Sequence, residues 1–277
     1  MPDFPVAHLV DWLRACSRVA VITGAGVSTA SGIPDYRDAD GQWKRAQPVT
    51  LQQFVGDAAV RQRYWARSFA GWPHFSRARP NAAHVALAEL ERRGRVHGVV
   101  TQNVDRLHQR AGSRQVVDLH GRLDVVVCLD CATRYRREWL QRRLAGMNTG
   151  WDEQAARIAP DGDADIEDAD FARFRIPDCP RCGGMLKPDV VFYGESVPAV
   201  RRDQATSMVN AADGILIVGS SLMVWSSFRL VRAAAARGAS VAAINQGRTR
   251  ADDLLAVKCM GDGGDILRQV LDDLDAK

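Results

Sequence analysis

Long apolar runs are missing from this chain of 277 residues. The longest of them, such as residues 214–218, have only the length of a strand, so no membrane-spanning segment is predicted. The N-terminal stretch has an early Asp3 and no basic region ahead of an apolar one, which argues against a signal peptide. We therefore expect a cytoplasmic protein.

Lysine is also scarce, since Lys44, Lys187, Lys258 and Lys277 are the whole set. The net charge of +4 is carried by arginine spread along the chain, without a block of five or six like charges. A concentrated basic surface is therefore not predicted. We expect nucleic acid not to be the main ligand.

The six cysteines lack the pattern of a disulfide framework, because four of them form two Cys-x-x-Cys pairs. Four thiolates at this spacing favour one tetrahedral, structural Zn²⁺ ion without an open position. A pair of redox motifs would need a thioredoxin-like context, which the sequence lacks. The predicted metal ligands are Cys128, Cys131, Cys179 and Cys182.

A short β-branched strand, residues 18–23, leads into a glycine turn that starts at Gly24. Gly24 and Gly26 would let the backbone approach a phosphate closely, and a following helix start attracts anions. Thr29 occupies the third glycine position of the dinucleotide-binding motif, so the motif alone is weak and an ordinary glycine turn is an alternative.

Strands are also predicted at residues 96–101, 116–119, 213–219 and 240–245, separated by helical patterns, and most end in polar or glycine-rich residues. This order predicts an α/β fold, a Rossmann-like doubly wound parallel sheet with a smaller inserted zinc-ribbon and helical module. We expect one catalytic unit, residues 1–277. Its predicted parts are a Rossmann-like domain (1–37, 81–127 and 184–277), a cofactor-loop and helical insertion (38–80) and a zinc-binding module (128–183). The acidic residues 161–170 lack the helices of a calcium-binding hand, so we expect a solvated, mobile loop there.

Several motifs occur in the order seen in sirtuins: residues 24–28, 31–37, 101–105, 119–121, the two cysteine pairs, 187–195 and 219–221. The chain resembles this family over nearly its whole length. The stretch Arg61–Arg67 with Gly71, Trp72 and Pro73 is most similar to class II sirtuins of the mitochondrial type.

The resemblance implies NAD-dependent removal of acyl groups from lysine in proteins or peptides. NAD is consumed, nicotinamide leaves, and the acyl group ends on ADP-ribose. His120 matches the family's catalytic histidine, and an imidazole that titrates near neutrality suits a base for a ribose hydroxyl. Asn103 matches the residue that orients ribose and water, and Asp105 the one that holds the nicotinamide carboxamide.

The resemblance also implies the remaining cofactor contacts. They are Gly24, Ala25, Gly26, Ser28, Asp35, Tyr36, Arg37, Gln102, Gly219, Ser220, Ser221, Asn245, Gly247 and Cys259. Substrate peptide is expected to add as a strand between residues 191–195 and 221–225. The expected substrate contacts there are Val190, Phe192, Gly194, Glu195 and Val224.

Tyr64 and Arg67 form a Tyr-x-x-Arg pair, which in class II sirtuins recognises acidic acyl chains. A phenol and a guanidinium could bind a terminal carboxylate, so we expect a preference for succinyl- or glutaryl-type lysines. The segment that follows Arg67 is longer than in well-defined desuccinylases, which could displace the pair.

Three other functions stay open. A protein ADP-ribosyltransferase would use the same NAD site, and a non-catalytic zinc-ribbon module would not need His120. An ordinary NAD dehydrogenase fits the imperfect glycine pattern and the zinc module poorly.

Overall fold

A computed structural model describes residues 3–44, 48–151, 157–158, 162–166 and 170–276. The chain divides into two compact units. The first consists of Met1–Arg45, Arg79–Leu119 and Val197–Lys277, and the second of Ala46–Ala78 and His120–Ser196. Within the described ranges, no helix is long and apolar enough to cross a membrane.

The elements of the described residues follow in chain order. The strands are β1 (Val19–Thr23), β2 (Val96–Thr101), β3 (Val116–Asp118), β4 (Gly121–Cys128), β5 (Arg134–Arg136), β6 (Arg157–Ile158), β7 (Ala164–Asp165), β8 (Leu186–Val190), β9 (Gly214–Val218), β10 (Ser240–Ile244) and β11 (Val257–Cys259). The α-helices are α1 (Val6–Ala15), α2 (Leu51–Gly56), α3 (Ala58–Arg77), α4 (Ala82–Arg92), α5 (Leu107–Ala111), α6 (Arg137–Met147), α7 (Ala199–Asn210), α8 (Trp225–Ala236) and α9 (Gly263–Asp275). Short 3₁₀ helices cover Ala25–Ser31, Phe171–Arg173 and Asp252–Leu254.

The first unit is built on a parallel sheet in the order β11-β10-β9-β1-β2-β3. All residues of β1 and β9 are buried, as in parallel strands that are covered on both faces. Val19 and Val21 pack with α1, α4 and α9 on one face, while Ala20 and Ile22 pack with α7 and α8 on the other. The predicted Rossmann-like fold class is therefore confirmed.

Strand order reverses at β1. The chain first builds outward through β2 and β3, and then returns to the other side of β1 with β9, β10 and β11. In open α/β sheets, ligands bind outside the carboxyl ends of the strands at such a switch point. The ends of β1 and β9 meet there, which puts Gly24 and Gly219 at the expected binding position.

The second unit contains a small antiparallel sheet, in which β4 pairs with both β5 and β8. Its apolar core includes Phe54, Trp65, Leu140, Phe174 and Phe192, all of them buried. Residues 120–127 and 184–196, assigned from sequence to the Rossmann-like part, belong to this unit, because β4 and β8 pair with each other and not with the large sheet.

Helix α3 continues through Pro73, although proline has no N–H to donate to the carbonyl of Phe69 four residues earlier. Gln141 of α6 replaces the missing donor, since its Nε2 lies 2.9 Å from the Phe69 oxygen. Beside it, the buried Arg137 donates to the Ser68 oxygen at 3.2 Å. With these contacts, α3 runs on beyond Pro73 to Arg77.

The acidic segment is only partly solvated where it is described. Asp170 is exposed, but the expectation was wrong for Gly162, Asp163 and Ala164, which are buried. They pack against α3, where a Cβ on Gly71 would lie 2.3 Å from the Gly162 oxygen. Such a close approach of two backbones requires the glycine. Residue 161 and residues 167–169 of the same segment lie outside the described residues.

Candidate active site

Three glycines let the backbone after β1 touch the backbone after β9. The N–H of Gly26 donates to the Gly219 oxygen at 2.9 Å. Gly219 has a φ of +58°, and a Cβ there would lie 2.3 Å from the Val27 nitrogen. A Cβ on Gly24 would lie 2.8 Å from the Ser220 side chain. Side chains are therefore excluded from this contact, which leaves the backbone accessible to a phosphate.

Ser28 ties two polar residues of the loop after β2 together. Its hydroxyl donates to Asp105 Oδ2 at 2.7 Å and accepts from Asn103 Nδ2 at 2.9 Å. The other carboxylate oxygen of Asp105 accepts from the Leu107 N–H at 2.9 Å. Burial raises the pKa of the Asp105 carboxyl above its usual value. The structure thus brings Ser28, Asn103 and Asp105 into one hydrogen-bonded group.

Gln102 and Ser220 extend this group along the ends of the strands. Gln102 Nε2 donates to Ser220 Oγ at 2.7 Å, and that oxygen also accepts from the Leu222 N–H at 3.2 Å. Ser221 is held through its carbonyl, which accepts from the Arg250 N–H at 2.9 Å. Amide and hydroxyl groups that suit ribose or phosphate are therefore clustered at the switch point.

The predicted cofactor loop is folded on itself. Arg37 Nη1 donates to the Gly41 oxygen at 2.7 Å, and the guanidinium lies 3.9 Å from the centre of the Trp43 ring. Asp35 pairs with Lys44 at 2.5 Å, and the Tyr36 ring meets Trp43 edge-on. The guanidinium of Arg37 is therefore held by contacts within this loop.

The end of β10 approaches the same loop. A Cβ on Gly247 would lie 2.3 Å from the Ala39 oxygen, and Asn245 Nδ2 donates to the Gly247 oxygen at 2.9 Å. The Cys259 side chain points into the apolar core, and burial raises the pKa of its thiol to about 11. The side chain of Cys259 is therefore not available to a ligand, and its carbonyl accepts from the Asn245 N–H at 3.1 Å.

Sequence reasoning assigned no role to a set of buried polar residues behind this group. They are Thr23, His84, Thr101 and His108, together with the half-buried Asn81. The Asn81 amide donates to the Val27 oxygen at 2.8 Å, and the rings of His84 and His108 lie 4.8 Å apart. A polar residue at the end of a buried strand, such as Thr23 or Thr101, was the signal that could have identified them.

His120 begins the second unit, next to the strand end that is expected to contact substrate. Its carbonyl accepts from the Val191 N–H at 2.8 Å, and Gly121 pairs with Val190 in the register of β4 and β8. His120 is half-buried. The backbone therefore fixes His120 beside residues 190 and 191.

An ion pair between the buried Lys187 and the half-buried Glu195 joins β8 to the loop after it. Lys187 Nζ lies 3.0 Å from Glu195 Oε2, and the same oxygen accepts from the Phe192 N–H at 2.8 Å. Lys187 Nζ also lies 4.5 Å from the centre of the Phe192 ring. Gly194 turns with a φ of +77°, and a Cβ there would lie 2.5 Å from Gln52 Oε1.

Tyr64 and Arg67 lie three residues apart in α3. The buried ring of Tyr64 lies 5.2 Å from that of Phe192, whereas Arg67 Nε donates to the Ala164 oxygen at 3.0 Å. Val224 lies in the first unit, at the start of α8, where its carbonyl accepts from the Ser227 hydroxyl at 3.0 Å.

The four cysteines of the two pairs converge. Their sulfur atoms all lie within 4.8 Å of one another, with Cys128–Cys182 at 3.5 Å and Cys131–Cys179 at 3.8 Å. Four ligands about 2.3 Å from a tetrahedral Zn²⁺ ion would be about 3.8 Å apart, so the cluster fits one structural zinc with no open position.

Comparison with known proteins identifies the family of this chain. The family model described as "Sir2 family" matches residues 24–226, which include the glycine contact, the polar group and all four cysteines. The chain belongs to the Sir2 family.

Curated relatives are similar over almost the full chain. A protein of Xanthomonas campestris pv. campestris (strain 8004) is 58% identical over 250 residues, covering 90% of this chain and 85% of the relative. One of Bordetella bronchiseptica is 56% identical over 263 residues, covering 95% and 96%. Both are named NAD-dependent protein deacetylase.

Solved sirtuin structures have the same fold. The one described as "Sir2-p53 peptide-NAD+" has a TM-score of 0.78 at 30% identity and covers 98% of both chains. Another, described as "Sir2 bound to acetylated peptide", has a TM-score of 0.77 at 30% identity with the same coverage.

Proposed function

We propose that this chain is an NAD-dependent protein lysine deacetylase, which transfers the acyl group from lysine to ADP-ribose and releases nicotinamide. The observation that carries the proposal is the group of Ser28, Asn103 and Asp105 at the switch point of the sheet. Relatives that are 56–58% identical over at least nine-tenths of this chain are named for that activity.

The residues at the proposed site are suited to bind NAD. Backbone groups at Gly24, Gly26 and Gly219 would hold the phosphates, because a side chain there would collide with the opposite backbone. Hydroxyl and amide groups of Ser220 and Gln102 would meet ribose or phosphate oxygens. Bound NAD supplies an electrophilic ribose carbon together with nicotinamide as its leaving group.

Asn103 and Asp105 would orient that ribose and the nicotinamide amide. Their shared partner Ser28 fixes both side chains before any ligand binds, so little ordering entropy is lost on binding. The imidazole of His120 would take the proton from a ribose hydroxyl, a transfer for which a group that titrates near neutrality is suited.

Substrate recognition would use the strand end beside His120. Val190 and Phe192 would line an apolar sleeve around the lysine stem, and backbone at Gly194 and Glu195 would pair with the peptide. The pair of Lys187 and Glu195 supports this proposal, because it fixes the turn that carries Phe192.

Peptide deacylation with and without NAD tests the proposal. We expect the wild-type protein to deacetylate a lysine peptide only when NAD is present, and His120→Ala to lose that activity. His8→Ala, which changes an exposed histidine of α1, is the matched control and should retain it. Labelled protein instead of deacylated peptide would favour ADP-ribosyl transfer.

We further propose that acidic acyl groups are preferred, as in class II sirtuins. Tyr64 lies against Phe192, and the same unit contains a buried guanidinium, that of Arg137, which lies 4.9 Å from the centre of the Trp72 ring. Burial lowers the pKa of Arg137 to about 10, so it stays charged at neutral pH. This positive charge supports recognition of a carboxylate.

One peptide carrying acetyl-, succinyl- or glutaryl-lysine tests this preference. Arg67→Ala should reduce turnover of the acidic forms by at least about tenfold relative to acetyl, because a charge-assisted hydrogen bond is worth about 1.5–3 kcal/mol. Arg63→Ala, an exposed arginine of the same helix, is the control. Faster deacetylation that is unchanged by Arg67→Ala would refute the proposal.

A further inference from the structure

A continuous line of buried hydrogen bonds lies behind the candidate NAD site. The N–H of Asn103 donates to Thr101 Oγ1 at 3.0 Å, and the Thr23 hydroxyl donates to the same oxygen at 2.9 Å. Thr23 Oγ1 lies 2.9 Å from His108 Nε2. Thr23, Thr101 and His108 are each at most 3% exposed.

We propose that His108 is a positioning residue for Asn103, acting through Thr23 and Thr101. The proposal rests on the proposed function, since it assigns a supporting role at the same site. His108 itself does not touch Asn103, so it is not a catalytic residue.

The line of hydrogen bonds joins the two ends of the loop that carries Asn103 and Asp105. Asn103 and Asp105 lie in the loop of residues 102–106, which connects β2 to α5. Thr101 is the last residue before that loop, and His108 is in the helix that follows it. The line from His108 to Thr101 therefore ties the two ends of the loop together through Thr23 of β1.

Donor and acceptor roles specify the form of the imidazole. The Thr23 hydroxyl gives its proton to Thr101, so His108 must donate to Thr23 from Nε2. A neutral Nε2–H tautomer satisfies this requirement. The environment favours the neutral ring, because burial lowers the pKa of His108 well below its usual value.

His84 supports His108 from the side. Its ring lies 4.8 Å from that of His108, and its Nδ1 lies 3.0 Å from Asn81 Oδ1. Asn81 in turn donates to Ser31 Oγ at 3.0 Å in the 3₁₀ segment that also contains Ser28. His84 and Asn81 thus connect the His108 ring to the segment that carries Ser28.

Hydrogen exchange of the protein without NAD tests the proposal directly. We expect His108→Leu to accelerate exchange in a peptide of residues 101–106 by about tenfold, the factor that corresponds to one lost hydrogen bond. His108→Gln, whose Nε2 can still donate to Thr23, should restore protection. A peptide of residues 214–218 in β9 is the internal control and should be unchanged. Equal exchange in the wild-type and Leu variants would overturn the proposal.

Thr23→Val provides a second variant of similar shape, which keeps the proposal testable if His108→Leu does not fold. It should accelerate exchange in the same peptide of residues 101–106 by a similar factor, because it removes the hydroxyl that joins His108 to Thr101. Unaltered exchange in Thr23→Val would contradict the proposal.

Kinetics then separate positioning from general destabilisation. His108→Leu should lower kcat/KM for NAD by about tenfold, while KM for the acyl-lysine peptide stays unchanged. Equal losses for NAD and peptide would indicate a purely structural role. If the wild-type protein shows no NAD-dependent deacylation, the proposed function fails, whereas the exchange result still decides the role of His108.

Discussion

Replacing Gly219 by alanine tests the glycine contact at the switch point of the sheet. Two separate effects act on the new side chain. The backbone of Gly219 has a φ of +58°, and its Cβ would lie 2.3 Å from the Val27 nitrogen and 2.6 Å from the Gly26 carbonyl carbon. Both neighbours are backbone atoms, so they cannot move aside as a flexible side chain would.

The expected loss of stability follows from these two effects. A non-glycine residue in the left-handed region costs about 1–2 kcal/mol. Forcing a methyl group into a packed contact adds about 1–3 kcal/mol. Gly238→Ala isolates the first effect, because Gly238 has a φ of +88° and nothing within 4 Å of its Cβ position.

Denaturant unfolding and NAD titration of both variants measure the two effects. We expect Gly219→Ala to lose about 1–3 kcal/mol more than Gly238→Ala. It should also bind NAD more weakly, because a shift of Val27 moves the adjacent Ser28 away from Asn103 and Asp105. Equal unfolding free energies and equal NAD affinities in the two variants would refute this reasoning.

Three further predictions concern the metal, helix α3 and acid stability. Cys182→Ser should lose bound zinc, measured by metal analysis, and lower the melting temperature, since zinc binding contributes to folding. Gln141→Leu should cost about 1–3 kcal/mol by leaving the Phe69 carbonyl unpaired, and less in a Pro73→Ala background, where residue 73 regains an N–H. Burial lowers the pKa of His84 from 6.5 to about 4. The neutral His84 therefore contributes fully to the stability of the fold above pH 6.5, and this contribution is lost as pH falls towards 4. The free energy of unfolding, measured by denaturant titration, should therefore fall by up to about 3 kcal/mol in this range, and by less in His84→Leu.

Much of the fold could be predicted from local pattern. Buried β-branched strands that alternate with amphipathic helices specify a doubly wound sheet, because only covered parallel strands have that composition. The cysteine spacing likewise specified the metal cluster, since each Cys-x-x-Cys pair brings two thiolates to one ion.

Long-range pairing could not be predicted in the same way. The partner of β4 is β8, more than fifty residues away, so the sequence near residue 121 does not show that this strand leaves the large sheet. Acidic composition suggested a solvated segment at residues 161–170. The glycine contact between Gly71 and Gly162, which buries Asp163, has no local signal.

The sequence indicated the residues that are proposed to contact the ligand. It did not indicate the residues that hold them in position. Asn103 and Asp105 are recognisable because polar groups follow an apolar strand. His108 lies only a few residues further on, yet its function depends on Thr23, which is distant in sequence. Positioning residues of this kind can be identified only from the hydrogen bonds in the structure.

Product analysis tests the central claim most directly. After incubation with NAD and an acyl-lysine peptide, we expect equal amounts of deacylated peptide, nicotinamide and O-acyl-ADP-ribose, and none of these products with His120→Ala. Deacylated peptide with a free acid and unconsumed NAD, or ADP-ribose attached to protein, would contradict the claim.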